Sequence, residues 1–275
     1  MGVQPRPASA VMILRDTASG QSFEVFMVRR VIQSDFMPDV YVFPGGSVTK
    51  DDIATEQTPE ICRTVPSNAA DPSGLTALGV GVRAAAIREL FEEAGVLLAY
   101  ANESMLAIDE MNEERYETYR QEFNNRTGSL IEMAQTGKLV LATERLNYFA
   151  HWITPEVEGM PKRFDTHFFV TTAPKEQQAA YDQLETSEGI WITPTEALTR
   201  SKNNEFPLVF PTIHQLQELA TSSSVAQVLA LTSQTRVKVR MPVAVKRDGQ
   251  TQIYLSEDGQ NMWPIPKHLL QSQNR

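Results

Sequence analysis

The sequence predicts an α/β sandwich in which a mixed central sheet lies between helices. Three observations lead there. Runs rich in β-formers alternate with helical stretches along the 275 residues. A hydrophobic content of 41% is enough for one substantial core with an elaborated layer. The stretch Ala84–Val96, AAAIRELFEEAGV, combines small and apolar packing positions with a concentrated acidic face.

In chain order, Ala8–Leu14 and Phe23–Arg30 flank the turn-like Thr17–Gln21 and read as a hairpin. Arg29 and Arg30, at the end of the second strand, suit either phosphate contact or an ion-paired edge. Val40–Gly46 is a short β-type run stopped by Pro44 and two glycines, which bring bare backbone close to whatever binds there. Ser47–Gly81 shows no sustained helical period and reads as a loop with short helical turns. Met105–Phe123 has the spacing of a moderately amphipathic helix, and Ser129–Gln135 continues helically up to Gly137. Tyr148–Thr154 and Arg163–Thr172 are strands by β-branched and aromatic content. His151 and His167 lie in these strands without a partner at ligand spacing, and read as hydrogen-bonded structural histidines. Gly189–Thr193 is a further strand, Pro194–Thr199 opens a helix, and a helix runs over Thr212–Thr221. Two strands, Val237–Val245 and Gln250–Leu255, close the chain around Asp248-Gly249, a strong hairpin signal. The expected division is a main domain over 1–220, with segment 221–275 as a helix and hairpin extension packed on it.

The chemistry concentrates on Ala84–Val96. Glu89, Glu92 and Glu93 stand at i, i+3 and i+4, which places them at about 0°, 300° and 40° around a helix. Three like charges on one face repel each other. A divalent cation with a preference for hard oxygen ligands, Mg²⁺ or Mn²⁺, reverses that sign. Arg88, four residues before Glu92, can pair with it and fix its direction, and Gly95 ends the helix in the left-handed region.

Here the chain resembles the Nudix hydrolase family, whose box reads G-x5-E-x7-R-E-U-x-E-E-x-G-U. Gly46 matches the first glycine, and Arg88–Val96 matches the last nine positions. Where the pattern has 13 residues between glycine and arginine, this chain has 41, so the box is split by 28 extra residues. Asp52 stands where the glutamate after Gly46 is expected, and Val80 is eight before Arg88. A box split after FMPDVYVFPGG, with Lys162–Phe169 and Phe206–Pro211 downstream, resembles the branch that includes peroxisomal coenzyme A diphosphatases. The resemblance implies a Nudix-type α/β/α sandwich carrying a box insertion (47–83) and an added helical segment (103–137).

It also implies roles. Glu89 and Glu93 are the first metal ligands, with Glu92 sharing that duty and the Gly45 carbonyl as a further ligand. Arg88 orients the glutamates. The general base is Glu92 or a loop carboxylate such as Glu188, and Glu185 and Glu188 are candidates to complete the metal site. A P–O–P bond needs a divalent ion to bridge its oxygens and acidify the attacking water. For a coenzyme A-type substrate, Arg29, Arg30, Arg163 and Phe168 are the candidates for the 3′-phosphoadenosine arm. The Met105–Phe123 helix is then a cover for the pantetheine arm; a packing cover or a homodimer surface are its other readings. The insertion, tied to the box at both ends, is expected to border the substrate.

Composition narrows the classes. A net charge of −9 argues against coating a nucleic-acid polymer but leaves a cation-mediated nucleotide substrate open. The single cysteine, Cys62, rules out an internal disulfide and reads as an inert thiol of a reducing compartment. No apolar run reaches membrane-spanning length, the N-terminus lacks a signal-peptide core, and the C-terminus is not a Ser-Lys-Leu address. The expectation is a cytoplasmic protein without membrane partners. Two functions compete: hydrolysis of a nucleoside diphosphate linked to another moiety, and a non-catalytic nucleotide sensor. The complete R-E-x-x-E-E set favours the hydrolase. Coenzyme A or a derivative, NADH, ADP-ribose and dinucleoside polyphosphates all share the scissile bond.

Overall fold

A computed structural model describes residues 3–34, 37–66, 70–157, 160, 162–247, 250–256 and 262–265. The elements in chain order are β1 (Arg6–Asp16), β2 (Phe23–Arg30), β3 (Tyr41–Val42), β4 (Gly45–Ser47), α1 (Lys50–Glu56) and α2 (Val82–Ala94). Then come β5 (Ala99–Ala101), β6 (Ser104–Met105), α3 (Glu113–Asn124), α4 (Leu130–Gly137), β7 (Leu139–Leu141), β8 (Asn147–Ile153) and β9 (Phe164–Thr172). The last are β10 (Thr186–Ile192), α5 (Pro194–Lys202), α6 (Phe210–Leu219), α7 (Val225–Gln234), β11 (Val239–Arg240), β12 (Val243–Arg247), β13 (Gln250–Tyr254) and β14 (Trp263–Pro264).

The central sheet runs β10-β2-β1-β9-β8-β11, with β3 added on β2 and β4 on β1. It is mixed, because β1 pairs antiparallel with β2 but parallel with β9. Alternation along β1 supplies both faces. Val11 and Ile13 join the core formed with Ile87, Leu90 and Phe91 of α2, whereas Met12 and Leu14 join the core formed with Leu216, Leu219 and Val228 of α6 and α7. A helix layer therefore covers each face, and the fold is the expected mixed α/β sandwich. No helix among the described residues is long and apolar enough to cross a membrane.

The split between the box halves is more ordered than a loop. Thr49 and Asp52 form a capping box that starts α1. Asp51 then accepts from Ser129 Oγ (2.9 Å) and Leu130 N (2.7 Å), tying α1 to the start of α4. Glu56, buried at the end of α1, accepts from four backbone N–H groups at the start of α2: Gly79 and Gly81 (2.7 Å each), Arg83 (2.7 Å) and Ala84 (3.0 Å). An acceptor there matters because Gly81, the cap residue of α2, has no side chain to offer.

Two expected boundaries move. The helix expected over Met105–Phe123 begins only at Glu113. Met105 lies in β6 opposite Tyr100, and hydrogen bonds among Asp109, Met111 and Asn112 form a turn before the helix. The strand expected over Val237–Val245 is split: β11 extends the central sheet by pairing with β8, and β12 starts a separate sheet with β13 and β14. Asp248 and Gly249, read as that hairpin's turn, lie outside the described residues.

Candidate active site

The box helix α2 is buried along nearly its whole length and ends at Gly95 (φ 68°), whose N–H donates to Phe91 O. Beyond that cap, Arg120 of α3 donates to Glu92 O (2.9 Å) and Ala180 O (2.6 Å), so a cation meets the carbonyl end of the helix. α3 thus packs on α2, with Phe91 and Phe123 meeting edge to face at 6.1 Å. It packs on the core through Tyr116 and Phe123, and Phe123 with Arg126, just past the helix, lines the cavity described below.

Arg88 spends all five N–H donors. Nε and Nη2 grip Asp52 at 2.9 and 3.0 Å, Nη2 also reaches Ser47 O at 2.9 Å, and Nη1 donates to Glu89 and Glu92 at 2.9 Å each. The guanidinium thus holds two box glutamates in place from below. Burial disfavours its charge, but Glu89, Asp52 and Glu92 outweigh that and hold its pKa above the usual value. Burial drives the glutamates the other way. It lifts Glu89 to about 7 despite Arg88, raises Glu92, and raises Glu93 well above the carboxylate range with the charge of Glu89 adding to the effect. Within the protein these charges are under-compensated.

Glycines let the β4 backbone close on them. Gly45 N donates to Glu93 Oε2 at 2.9 Å, and a Cβ on Gly46 would collide with the Glu89 carboxylate. A set of carboxylate oxygens gathered on one helix face fits a hard divalent cation, which Glu89, Glu92 and Glu93 would hold.

These glutamates line a cavity of about 950 Å³. Arg30, Arg126 and Lys162 are cationic residues on its wall, and Glu185 is there too, close enough to Glu92 to raise its pKa. The rest is largely apolar: Trp152, Met160, Phe164, Phe168 and Phe210 meet Ile253, Trp263 and Ile265 from the last sheet.

Of the residues singled out from sequence, Gly45, Arg88, Glu89, Glu92, Glu93, Arg30, Phe168 and Glu185 come together around this cavity. Three do not. Glu188 accepts from Tyr41 Oη at 2.6 Å and faces Arg29 at 3.8 Å, because a register shift in β10 separates it from Thr186. Arg29 is held by Asp39 at 2.8 Å. Arg163 donates to Thr154 O (3.0 Å) and Val3 O (2.8 Å), pinning the start of β9. Arg126 escaped the sequence reading because it follows a helix in sequence and reaches the site only through tertiary packing. Lys162 sat in a quoted motif, but only chain folding shows which side chain of that motif faces the cavity. Ser47, Thr49 and Asp51 put the first end of the insertion on the cavity wall. Cys62 is buried and its thiol is pushed up to about 12 by burial and then by Glu56, in keeping with an inert role.

His151 and His167 are each hydrogen-bonded, as expected, but they also lie beside one another, which spacing along the chain did not show. They are directly paired across β8 and β9, and their rings stack at 4.2 Å. His167 Nδ1 meets Tyr148 Oη at 3.1 Å, and His151 Nε2 meets Asp165.

Comparison with known proteins agrees with this architecture. The acyl-coenzyme A diphosphatase NUDT19 of Xenopus laevis is 28% identical over 226 residues, covering 72% of this chain and 60% of the relative. The Gallus gallus protein of the same name is 28% identical over 243 residues, covering 74% and 62%. The chain thus spans about 60% of the length of these curated relatives. A crystal structure of a NUDIX hydrolase from Alicyclobacillus acidocaldarius superposes with a TM-score of 0.69 at 23% identity, over 83% of this chain and 96% of that one, which shows the shared fold. A profile of the NUDT19 Nudix domain matches residues 58–219, from the insertion through the box helix to the end of α6. By that match the chain belongs to the NUDT19 Nudix domain family.

Proposed function

We propose that this protein is a metal-dependent hydrolase that cleaves the diphosphate bond of coenzyme A or an acyl derivative. The observation that carries the reading is the mixed polarity of one cavity. The box carboxylates line it together with a separate aromatic and aliphatic cluster that includes Trp152, Met160, Phe210, Ile253 and Ile265. A nucleotide diphosphate joined to a long, weakly polar arm has the same mixed polarity. The names borne by the frog and chicken relatives support the same substrate class.

The residues divide the work. Glu89, Glu92 and Glu93 would hold Mg²⁺ or Mn²⁺, and Arg88 keeps the first two aimed. When bound, the ion neutralises diphosphate oxygens and lowers the pKa of water. Glu185, beside Glu92, is the candidate to take a proton from the attacking water; Glu92 is the alternative. Arg30, Arg126 and Lys162 supply positive charge for the phosphates. Trp152, Phe168 and Trp263 offer flat apolar surface for the adenine or the pantetheine arm. Water adds to one phosphorus, the bridging P–O bond breaks, and the products are 3′,5′-ADP and a 4′-phosphopantetheine.

A panel of coenzyme A, acyl-coenzyme A, dephospho-coenzyme A, NADH, ADP-ribose and dinucleoside polyphosphates, each with Mg²⁺ and Mn²⁺ and scored by product mass, tests this. The expected result is highest kcat/KM for coenzyme A or its thioesters, with dephospho-coenzyme A poorer. A preference for NADH or ADP-ribose would retire the coenzyme A assignment, and no turnover on any of them would point to a nucleotide sensor.

A further inference from the structure

A second polar cluster lies outside the cavity described above. His151, Asp165 and His167 each offer a ligand atom, and those atoms lie within 4.8 Å of one another. None of the three is among the residues lining the large cavity. The pairing that joins them is continuous with the active site. Gly46 on β4, Ser9 on β1, His167 on β9 and His151 on β8 are successive partners on one rung of the sheet. Side chains of directly paired residues share a face, so the imidazoles lie on the side covered by α2, where Ser9 Oγ donates to Val82 O at 2.5 Å. At a strand spacing of about 4.8 Å, His167 is roughly 10 Å from Gly46.

We infer that His151, His167 and Asp165 form a second metal site, selective for a borderline transition ion of the Zn²⁺ class. Two imidazoles and one carboxylate are the donor set that such ions prefer, whereas Mg²⁺ favours oxygen alone. Three features support this. Direct pairing across β8 and β9 sets the two rings side by side, their centroids 4.2 Å apart. Tyr148 Oη occupies His167 Nδ1, which leaves Nε2 of that ring for a ligand bond and supplies the outer partner that metal-binding histidines usually have. His151 is 4% exposed, yet its Nδ1 has no partner among the described residues. A neutral His151 ring is therefore unsatisfied in either tautomer. With the proton on Nε2, Nδ1 is a buried acceptor without a donor; with the proton on Nδ1, a lone pair faces the Asp165 carboxylate. A cation shared by Nε2 and that carboxylate removes the lone-pair repulsion of the second arrangement, while Nδ1–H stays without an acceptor among the described residues. The Asp165 side chain is 35% exposed, which gives the ion an entry path and a water for its fourth position.

The site does not depend on the substrate assignment, and its test does not use turnover. Full-length protein, stripped of metal and then saturated with Mg²⁺, is titrated with ZnCl₂ by calorimetry, and the zinc environment is read by X-ray absorption. The expected result is one Zn²⁺ bound with two imidazole nitrogens. Asp165→Asn and His167→Gln should weaken that binding at least about 100-fold, and Tyr148→Phe about 10-fold. Asp165→Asn keeps side-chain volume at a partly exposed position, so circular dichroism should report an intact fold for it even where the histidine variant unfolds. Zinc seen only by oxygen ligands, or bound equally well by wild type and Asp165→Asn, would overturn the inference and leave a hydrogen-bonded histidine pair.

Discussion

Arg88 and Asp52 face each other fork to fork, Nε to Oδ1 at 2.9 Å and Nη2 to Oδ2 at 3.0 Å, across 36 positions of sequence. Asp52 is fully buried and Arg88 nearly so. The insertion therefore places a carboxylate behind the box arginine, and the arginine in turn aims Glu89 and Glu92. Asp52→Asn keeps the shape but removes the charge. Breaking a buried pair of this kind costs about 3–5 kcal/mol. Urea unfolding should show that loss, together with a raised metal requirement for turnover. Wild-type stability would mean that Arg88 is held well enough by Ser47 and the glutamates.

Glu56 gives a second test of the insertion. It satisfies four N–H groups at the start of α2, so Glu56→Ala should lower stability by at least about 2 kcal/mol. Deleting Glu56–Ser73 should likewise lower the melting temperature. That outcome would give the insertion a structural role beyond bordering the cavity, as Ser47, Thr49 and Asp51 do. A deletion that altered KM while leaving the melting temperature untouched would confine its role to the substrate.

The glutamate face predicts a pH-dependent response to metal. Glu89 is raised from its usual 4.5 to about 7 by burial. A carboxylate raised in the folded state stabilises below its unfolded pKa, and that contribution is lost as pH rises through the folded value. Metal-free protein should therefore lose melting temperature between about pH 4.5 and 7. The gain on adding Mg²⁺ should widen over the same window, since ligands bind deprotonated. Glu93→Gln should abolish most of that gain and lower Mg²⁺-dependent turnover at least about 100-fold, while keeping or raising metal-free stability. Differential scanning fluorimetry with and without metal checks each part, and a metal gain that stays flat with pH would contradict it.

The two carboxylates at the start of β10, Glu185 just before the strand and Glu188 within it, should separate cleanly. Glu185 lines the cavity, whereas Glu188 is engaged by Tyr41 and Arg29. As general base, Glu185 should cost about 10²–10⁴-fold in kcat on conversion to Gln, with KM little changed. Glu188→Gln should stay within about threefold of wild type and act on stability instead. Comparable losses in kcat for both would return the base assignment to Glu92.

Much of this molecule is local and was legible in residue order. The three carboxylates share a face because a helix repeats about every 3.6 residues, and Gly45-Gly46 marks a close backbone approach wherever it occurs. The near-continuous apolar runs of β1 and β2 likewise announce a sheet buried on both sides. What residue order left open depends on pairings between distant segments. Asp52 behind Arg88, Glu56 on the α2 N-terminus, and Arg126 and Lys162 on the cavity wall exist only once separate elements pack. A one-step register shift in β10 sends Glu188 to Tyr41, and direct pairing of β8 with β9 sets His151 against His167. Register flips a side chain from one face to the other with each residue of slip, so no count along the chain could assign those four residues to their partners.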